Sequence, residues 1–402
     1  MNRRATTGPL AGLPLLEDLP PLEGRKVLVR VDFNVPLVQP DVAGASAEVG
    51  DDFRIRAALP TLEWLMERGA SITACTHLGR PKGKVDPRFD VAPVRARLAE
   101  LAPGVQLAEN LRFDPGEEAG DPAFVERLVD GFDAYVNDAF GSSHRAHASI
   151  VGPPSRLPSA AGRLLAKEVE VLGGLLVDPA LPFVAIVGGA KVADKLGVLR
   201  SLLERVDRLI VGGGMSYTFL ASQGHSVADS ILDPGSVEDC KALIEEAAGR
   251  LLLPDDLVAL GPGGSIGQGD DGSGEVSVLG TDLPEGWEGV DIGPHTARVF
   301  AEAITRARTL FWNGPVGAFE DDRFAAGTRA IADALTSSDA FSVVGGGDTV
   351  SALDHFGLAD RVGFVSTGGG ASLELLEHGD LPGLQALRRA ANAPSSGRGG
   401  DT

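Results

Sequence analysis

Val184-Ala-Ile-Val-Gly-Gly-Ala190 is the stretch that decides how this chain folds. A short apolar, β-branched run reads as a buried strand. The glycines that end it let the backbone turn sharply and come close to a ligand. The same device recurs at Leu209-Ile-Val-Gly-Gly-Gly214, at Phe341-Ser-Val-Val-Gly-Gly-Gly-Asp348 and at Phe364-Val-Ser-Thr-Gly-Gly-Gly370, each followed by a helix-like segment. A helix that opens at such a turn aims free N–H groups and its positive dipole end at one spot. In a parallel sheet the ligand crevice lies beyond the strand C-termini. One such turn alone reads as an ordinary strand-to-helix connection. Four in one half of the chain point to a nucleotide site.

Outward from there, the rest of the chain keeps a β-α rhythm. Lys26-Val-Leu-Val-Arg-Val31 reads as the first buried strand, and the twenty or so residues before it as a loose lead-in. Leu59 to Glu67 has helical spacing, Ser71 to Thr76 reads as a strand, Val91 to Leu101 as a helix, Val105 to Ala108 as a strand, Phe124 to Val129 as a helix and Ala134 to Val136 as a strand. Alternating strands and helices argue for parallel sheets covered on both faces. After the Pro-rich Gly152–Pro158, Leu164 to Leu176 has the spacing of a single helix, on which the sequence places the domain junction. Gly261 to Gly274 reads as a long surface loop and Asn392 to Thr402 as a mobile tail.

Composition narrows the function. The chain has 402 residues, 43% hydrophobic and 23% charged, enough for two large cores. Its 36 basic and 56 acidic residues give a net charge of −20. That argues against nucleic acid or an anionic membrane as partner, while leaving room for a small anion held by a local basic cluster. The two cysteines, Cys75 and Cys240, exclude a disulfide framework and favour a reducing, cytoplasmic setting. No signal peptide and no apolar run of membrane-spanning length is read.

The first half uses other chemistry at the same topological place. Its strand ends carry Asp32-Phe33-Asn34, His77-Leu78-Gly79-Arg80, Asn110-Leu-Arg112, and Asn137-Asp138 leading to His144-Arg145-Ala-His147. Asp32 and Asn34 share one face of extended backbone. Guanidinium forks suit carboxylate and phosphate. Each arginine alone reads as a surface charge; their recurrence at successive strand ends points to one small, multiply anionic substrate. Lys191 and Lys195 stand four apart on the helix expected after Gly188-Gly189. They read equally well as two solvated lysines or as a pair awaiting an anion.

Other motifs fail. There is no G-x-x-x-x-G-K-[ST] and no strand-to-helix G-x-G-x-x-G. Gly263-Gly-Ser265-Ile-Gly267 matches G-x-S-x-G, but a loop-like run follows it where a nucleophile elbow needs a helix. His144 and His147 lack the companions of a zinc set and read as anion contacts or structural histidines.

The residues now become specific. KVLVRVDFNVP (26–36), FRIRAALPTL (53–62), THLGRP (76–81), ENLRF (109–113), NDAFGSSHRAH (137–147), LPSAAG (157–162), PFVAIVGGAKVADKLGVL (182–199), LIVGGGMSYTFL (209–220), GWEGVDIGP (286–294), FWNGPVGAFE (311–320), VVGGGDTVSAL (343–353) and VSTGGGASLELLE (365–377) occur in order. Together they resemble phosphoglycerate kinase over about residues 22 to 385. The resemblance implies an α/β fold of two Rossmann-like lobes with parallel sheets joined by a hinge helix. It gives an N-terminal lobe over 1–163, a hinge helix with the C-terminal lobe over 164–379, and residues from about 380 packing back on the first lobe. It implies reversible phosphoryl transfer between 1,3-bisphosphoglycerate and ADP, giving 3-phosphoglycerate and ATP, with Mg2+ accompanying the nucleotide, in a monomer whose lobes close over the reactants.

By the same resemblance, Asp32, Phe33 and Asn34 stand at the substrate's hydroxyl and carboxylate. Arg54, His77, Leu78, Gly79, Arg80, Arg112 and Arg145 line a basic patch for its anionic groups. Arg54 and Lys191 face the transferring group, Lys195 the nucleotide phosphates, and Gly369 and Gly370 a helix start at the transferred phosphoryl. Asn313, Pro315 and Glu320 lie beside the nucleotide, with Glu320 on the ribose. Gly346, Gly347, Asp348 and Thr349 form the phosphate turn, with Asp348 nearest the metal. Residues 1 to about 17, 38 to 51 and 261 to 274 depart from the usual pattern, and Thr76 replaces a common serine. A nicotinamide-dependent dehydrogenase is the enzyme rival, but its fingerprint glycines are missing. A non-catalytic anion-binding protein on the same scaffold is the other rival, and it would be expected to have lost Arg54, Lys191 or Asp348.

Overall fold

The computed structural model describes residues 7–39, 47–267 and 272–393. Two compact units emerge: one holds the chain up to Val177 and again from Gly379, the other is Asp178–His378.

The first unit contains β1 (Lys26–Arg30), a small ribbon of β2 (Leu37–Val38) and β3 (Glu48–Val49), β4 (Ser71–Cys75), β5 (Gln106–Leu107), β6 (Ala134–Asn137) and β7 (Ser159–Ala161). Its sheet has the order β5-β4-β1-β6-β7, with every pair parallel. Side chains alternate along β1 as the pleat requires. Val27 and Val29 join Ile55, Leu62, Leu65 and Leu98 in one core, while Leu28 joins Cys75, Phe124 and Tyr135 in another. Parallel neighbours bring Asp32, His77 and Asn137 to the same sheet edge.

Three expectations change here. The lead-in is packed from residue 7 onward: Leu13 and Leu16 are buried, and Leu15 bridges to Ala161. Its leucines supply the apolar area that a mobile segment would lack. The helix expected from Leu59 begins at Phe53, whose N–H is taken by Asp51 Oδ1 at 2.8 Å, and so carries Arg54 in its first turn. The division between 163 and 164 falls instead after Val177. Helix Arg163–Val177 belongs to the first unit, because Asp138 Oδ1 accepts from the N–H groups of Leu164 and Leu165 and Thr61 Oγ1 accepts from that of Arg163. Helix Pro382–Asn392 also belongs to this unit, burying Leu384 and Leu387. The tail beyond residue 393 lies outside the described residues, as do 268–271 of the glycine-rich loop.

The second unit contains β8 (Phe183–Val187), β9 (Arg208–Val211), β10 (Leu251–Leu252), β11 (Asp256–Leu260), β12 (Val276–Gly280), β13 (Glu288–Ile292), β14 (Thr309–Asn313), β15 (Phe341–Gly345) and β16 (Phe364–Val365). Its main sheet, β10-β9-β8-β14-β15-β16, is wholly parallel, and β12-β11-β13 form an antiparallel sheet. Ile186, Ile210, Trp312 and Val344 anchor a core under the main sheet. All four glycine runs leave it at one edge. Helices Met215–Ser222, Gly347–His355 and Gly370–His378 follow three of them closely. After β8 the chain instead passes through a loop and one 3-10 turn, Ala193–Lys195, before helix Leu196–Leu203. Lys191 is therefore not helical, and the shared-face argument for Lys191 and Lys195 lapses. The reason is tertiary: the Gly189 carbonyl, which a helix opening there would use for its first intrahelical bond, accepts instead from the Met215 N–H, and the Gly189 N–H goes to Pro315 O. Among the described residues no helix is long and apolar enough to cross a membrane.

Candidate active site

The carboxyl edge of the first unit is built around a buried arginine. Arg30 ends β1 at 1% exposure. Its Nε donates to Ser149 Oγ (3.0 Å), its Nη1 to the Val31 carbonyl, and its Nη2 lies 3.3 Å from His77 Nδ1. Ser149 in turn gives its N–H and its hydroxyl to Glu117, a fully buried carboxylate. A guanidinium can only donate, so His77 Nδ1 accepts and the neutral ring carries its proton on Nε2. Burial pushes the His77 pKa down to about 3, and the arginines around it add to this. His147 is pushed down to about 4, again by burial first and then by Arg112 and Arg145. His77 therefore enters the basic patch as a neutral donor rather than a cation.

Asp32 follows β1. Burial works against its ionisation, but the guanidinium groups of Arg54 and Arg30 and the Asn34 backbone N–H outweigh that and hold its carboxyl below the usual range, the neutral His77 ring adding no charge of its own. Arg54 Nη1 is 3.1 Å from Asp32 Oδ2, while Oδ1 makes no hydrogen bond. Asn34 is exposed, and its Oδ1 accepts from the Gly79 N–H at 2.9 Å. Phe33 is buried, so only its backbone is available, and its N–H goes to Thr76 Oγ1. The Leu78 side chain is buried too. Asn110 fixes that loop, accepting from the N–H groups of Leu78 and Arg112 and donating to the carbonyls of Leu78 and Phe89. Arg112 is nearly buried and donates to Gly79 O. Arg80 is exposed, and Arg145, half-buried, donates to His144 Nε2.

The structure thus gathers Asp32, Asn34, Arg54, His77, Arg80, Arg112 and Arg145 around the ends of neighbouring strands. Sequence reading missed Arg30, Glu117 and Ser149. Arg30 did leave a signal, a charge inside an otherwise apolar strand run, which must be paired if it is buried. Glu117 left none, because its helix Pro115–Ala119 is five residues long and its sequence looks like surface.

In the second unit the glycines divide into two kinds. At Gly188 a side chain would overlap the carbonyls of Gly314 and Pro315, so this glycine serves the packing of one loop on another. Gly347, Gly369 and Gly370 have nothing in front of them, and Gly346 adopts φ +91°, which a side chain rarely tolerates. Asn313 ends β14 beside this turn. Its Oδ1 is 3.4 Å from Lys195 Nζ, and its buried Nδ2 has no partner. Lys195 also donates to the Gly188 carbonyl. Burial pushes its pKa down to about 8, against the pull of Asp348 and Asp194. Thr349 is buried, its Oγ1 accepting from the Gly314 N–H at 2.6 Å, so it ties two loops together. The Pro315 carbonyl accepts from Gly189, while Lys191, Glu320 and Asp348 are exposed. Among the described residues no three His, Cys, Asp or Glu side chains gather as a metal cage.

A guanidinium-rich strand edge on one parallel sheet and open amide turns on another equip an α/β phosphotransferase. Comparison with known proteins specifies it. The family model described as phosphoglycerate kinase matches residues 16–108 and 99–379. A phosphoglycerate kinase of Rubrobacter xylanophilus is 49% identical over 91% of this chain and 96% of its own, and that of Moorella thermoacetica is 47% identical over 92% and 98%. The solved phosphoglycerate kinase structure from Coxiella burnetii superimposes with a TM-score of 0.82 at 36% identity, over 94% of this chain and all of that one. The one from Pyrococcus horikoshii gives 0.78 at 28% identity, over 94% and 99%. The chain belongs to the phosphoglycerate kinase family. Its activity is phosphoryl transfer between ATP and 3-phosphoglycerate, a step of glycolysis.

Proposed function

We propose that the carboxyl edge of the first unit binds 3-phosphoglycerate or 1,3-bisphosphoglycerate, and that of the second binds MgATP or MgADP. The observation carrying this reading is the segregation of donors. Side-chain guanidinium groups crowd one strand edge, while glycine turns with open space in front of Gly347, Gly369 and Gly370, and the orphaned Asn313 Nδ2, lie at the other. Asp32 Oδ1 is left as an acceptor for the substrate hydroxyl. Asn34, His77 Nε2–H, Arg80, Arg112 and Arg145 meet its carboxylate and phosphate. On the nucleotide side Lys195, Asn313 and the Gly346-Gly347 amides meet phosphate, and Glu320 meets a ribose hydroxyl.

The chemistry needs no protein nucleophile. A carboxylate oxygen of 3-phosphoglycerate bonds to the γ-phosphorus as the bond to the bridging oxygen of ADP breaks; the reverse direction runs the same path. Catalysis is then positioning plus stabilisation of charge on the equatorial oxygens. Arg54, Lys191 and the amides of Gly369 and Gly370 supply that charge once the two ligands meet. Excluding water at that moment protects the acyl phosphate. Asp348, in the first turn after Gly346, is the carboxylate suited to Mg2+. A single acidic side chain fits an ion held mainly by nucleotide oxygens and water, whose role would be to neutralise those oxygens. The reading includes a monomer acting in the cytoplasm.

Amide NMR of the labelled protein tests the assignment. 3-Phosphoglycerate should move the resonances of Asn34, Gly79 and Arg112, and MgADP those of Gly346, Gly347 and Gly370. Both ligands perturbing one unit alone would refute it.

A further inference from the structure

Behind the loop that runs from Asn313 to Glu320 lies a carboxylate that touches none of the groups assigned to the ligand. Asp291 sits on β13 at 1% exposure. Its Oδ1 accepts from its neighbour Ile292 N–H (2.8 Å) and its Oδ2 from the Gly327 N–H (2.7 Å), where helix Ala326–Ser337 starts. A side chain at either Gly317 or Gly327 would overlap this carboxylate, so the loop and the helix start are both shaped around it. Two residues into that helix, Thr328 is fully buried, and its Oγ1 lies 3.2 Å from both the Val316 and the Gly317 nitrogens, accepting from their N–H groups. The Ala318 N–H adds a bond to Val290 O on the same strand. The hydrogen bonds it accepts come from backbone N–H groups rather than from a cationic side chain, and burial pushes its carboxyl up to about 7. Holding an unpaired carboxylate in a dry interior is unfavourable unless its oxygens are used, and here they are used on the backbone that frames the loop.

We infer that Asp291 and Thr328 are positioning residues for the nucleotide: together they set the height and pitch of the Pro315–Glu320 loop from behind, and so fix where the ribose acceptor Glu320 stands. This rests on the reading of Glu320 and Pro315 as nucleotide neighbours. Asp291→Asn turns one acceptor into a donor that must face either the Gly327 or the Ile292 N–H. Thr328→Val keeps the volume and removes the hydroxyl that two amides share. Neither changes a group assigned to the ligand.

The test is steady-state kinetics of the full-length enzyme together with calorimetric titration of MgADP. Asp291→Asn and Thr328→Val should each raise KM for MgATP and Kd for MgADP about 5- to 20-fold, the range of losing one or two buried hydrogen bonds. KM for 3-phosphoglycerate should stay within twofold, and Thr328→Ser should restore nucleotide affinity to within twofold of the parent. Unchanged nucleotide affinity in both variants would overturn the inference. So would a parallel rise in both KM values, or failure of Thr328→Ser to rescue, since those are the marks of general loosening. If Asp291→Asn does not fold, the Thr328→Val and Thr328→Ser pair decides alone. Glu320→Ala is the control for the underlying reading. If it leaves MgADP affinity unchanged, the ribose assignment fails, whatever Asp291 does.

Discussion

Arg54 Nη1 stands 3.1 Å from Asp32 Oδ2, joining the first turn of helix Phe53–Met66 to the end of β1. The pair keeps a guanidinium that is still one-third exposed beside the strand edge proposed to bind the substrate. An arginine so held is preorganised, and losing a preorganised charge donor typically lowers kcat by 10²–10³.

Arg54→Ala should therefore reduce kcat by about 10²–10³, with a much smaller change in KM for 3-phosphoglycerate. Stopped-time assays of ADP formation measure it. Turnover near that of the parent enzyme would remove Arg54 from the transfer step.

Glu117 should matter without touching substrate. Glu117→Ala orphans the Ser149 N–H and hydroxyl, and each abandoned buried donor costs about 1–3 kcal/mol. Urea unfolding should register that loss.

Asp138 gives a pH signature. Burial raises its carboxyl from its ordinary value to about 7, against the hydrogen bonds from Thr61, Leu165 and Leu164. The folded state then binds a proton that the unfolded chain has released, so this group weakens the fold as pH climbs from about 4 to about 7. The Tm of Asp138→Asn minus that of the parent should rise steadily across that window and level off above it. A flat difference would mean that Asp138 titrates in the folded state much as it does unfolded.

Lys195 gives a second one. With its pKa pushed down to about 8, the free enzyme loses this charge as pH passes from 7 to 9. MgADP affinity should fall over that range in the parent but less in Lys195→Arg, whose guanidinium stays charged. Titration calorimetry at pH 7 and pH 9 measures the contrast, and equal slopes for the two proteins would remove Lys195 from the phosphate contact.

Much of this was legible in the amino-acid order. Short apolar, β-branched runs and helical spacing give most of the strands and helices, and the glycine runs place the turns of the second unit at one sheet edge. What the order could not show was which glycines pack and which lie open. Gly188 and Gly347 look alike as letters, and only the neighbouring Pro315 carbonyl separates them. The helix expected after Gly188-Gly189 failed because a tertiary bond from the Met215 N–H claimed the Gly189 carbonyl that its first turn would have used. Charge states were also hidden: His77 reads as a cation in sequence, yet it is neutral because burial and Arg30 act together. The N-terminal leucines looked idle because their partners, such as Ala161, lie far along the chain.

The division of labour between the two strand edges is most directly tested by calorimetric titration of 3-phosphoglycerate and of MgADP, each into Arg80→Ala and into Lys195→Met. Arg80→Ala should weaken 3-phosphoglycerate binding at least fivefold and leave MgADP unchanged, and Lys195→Met should do the reverse. Both substitutions weakening the same ligand, or neither weakening its own, would contradict the account.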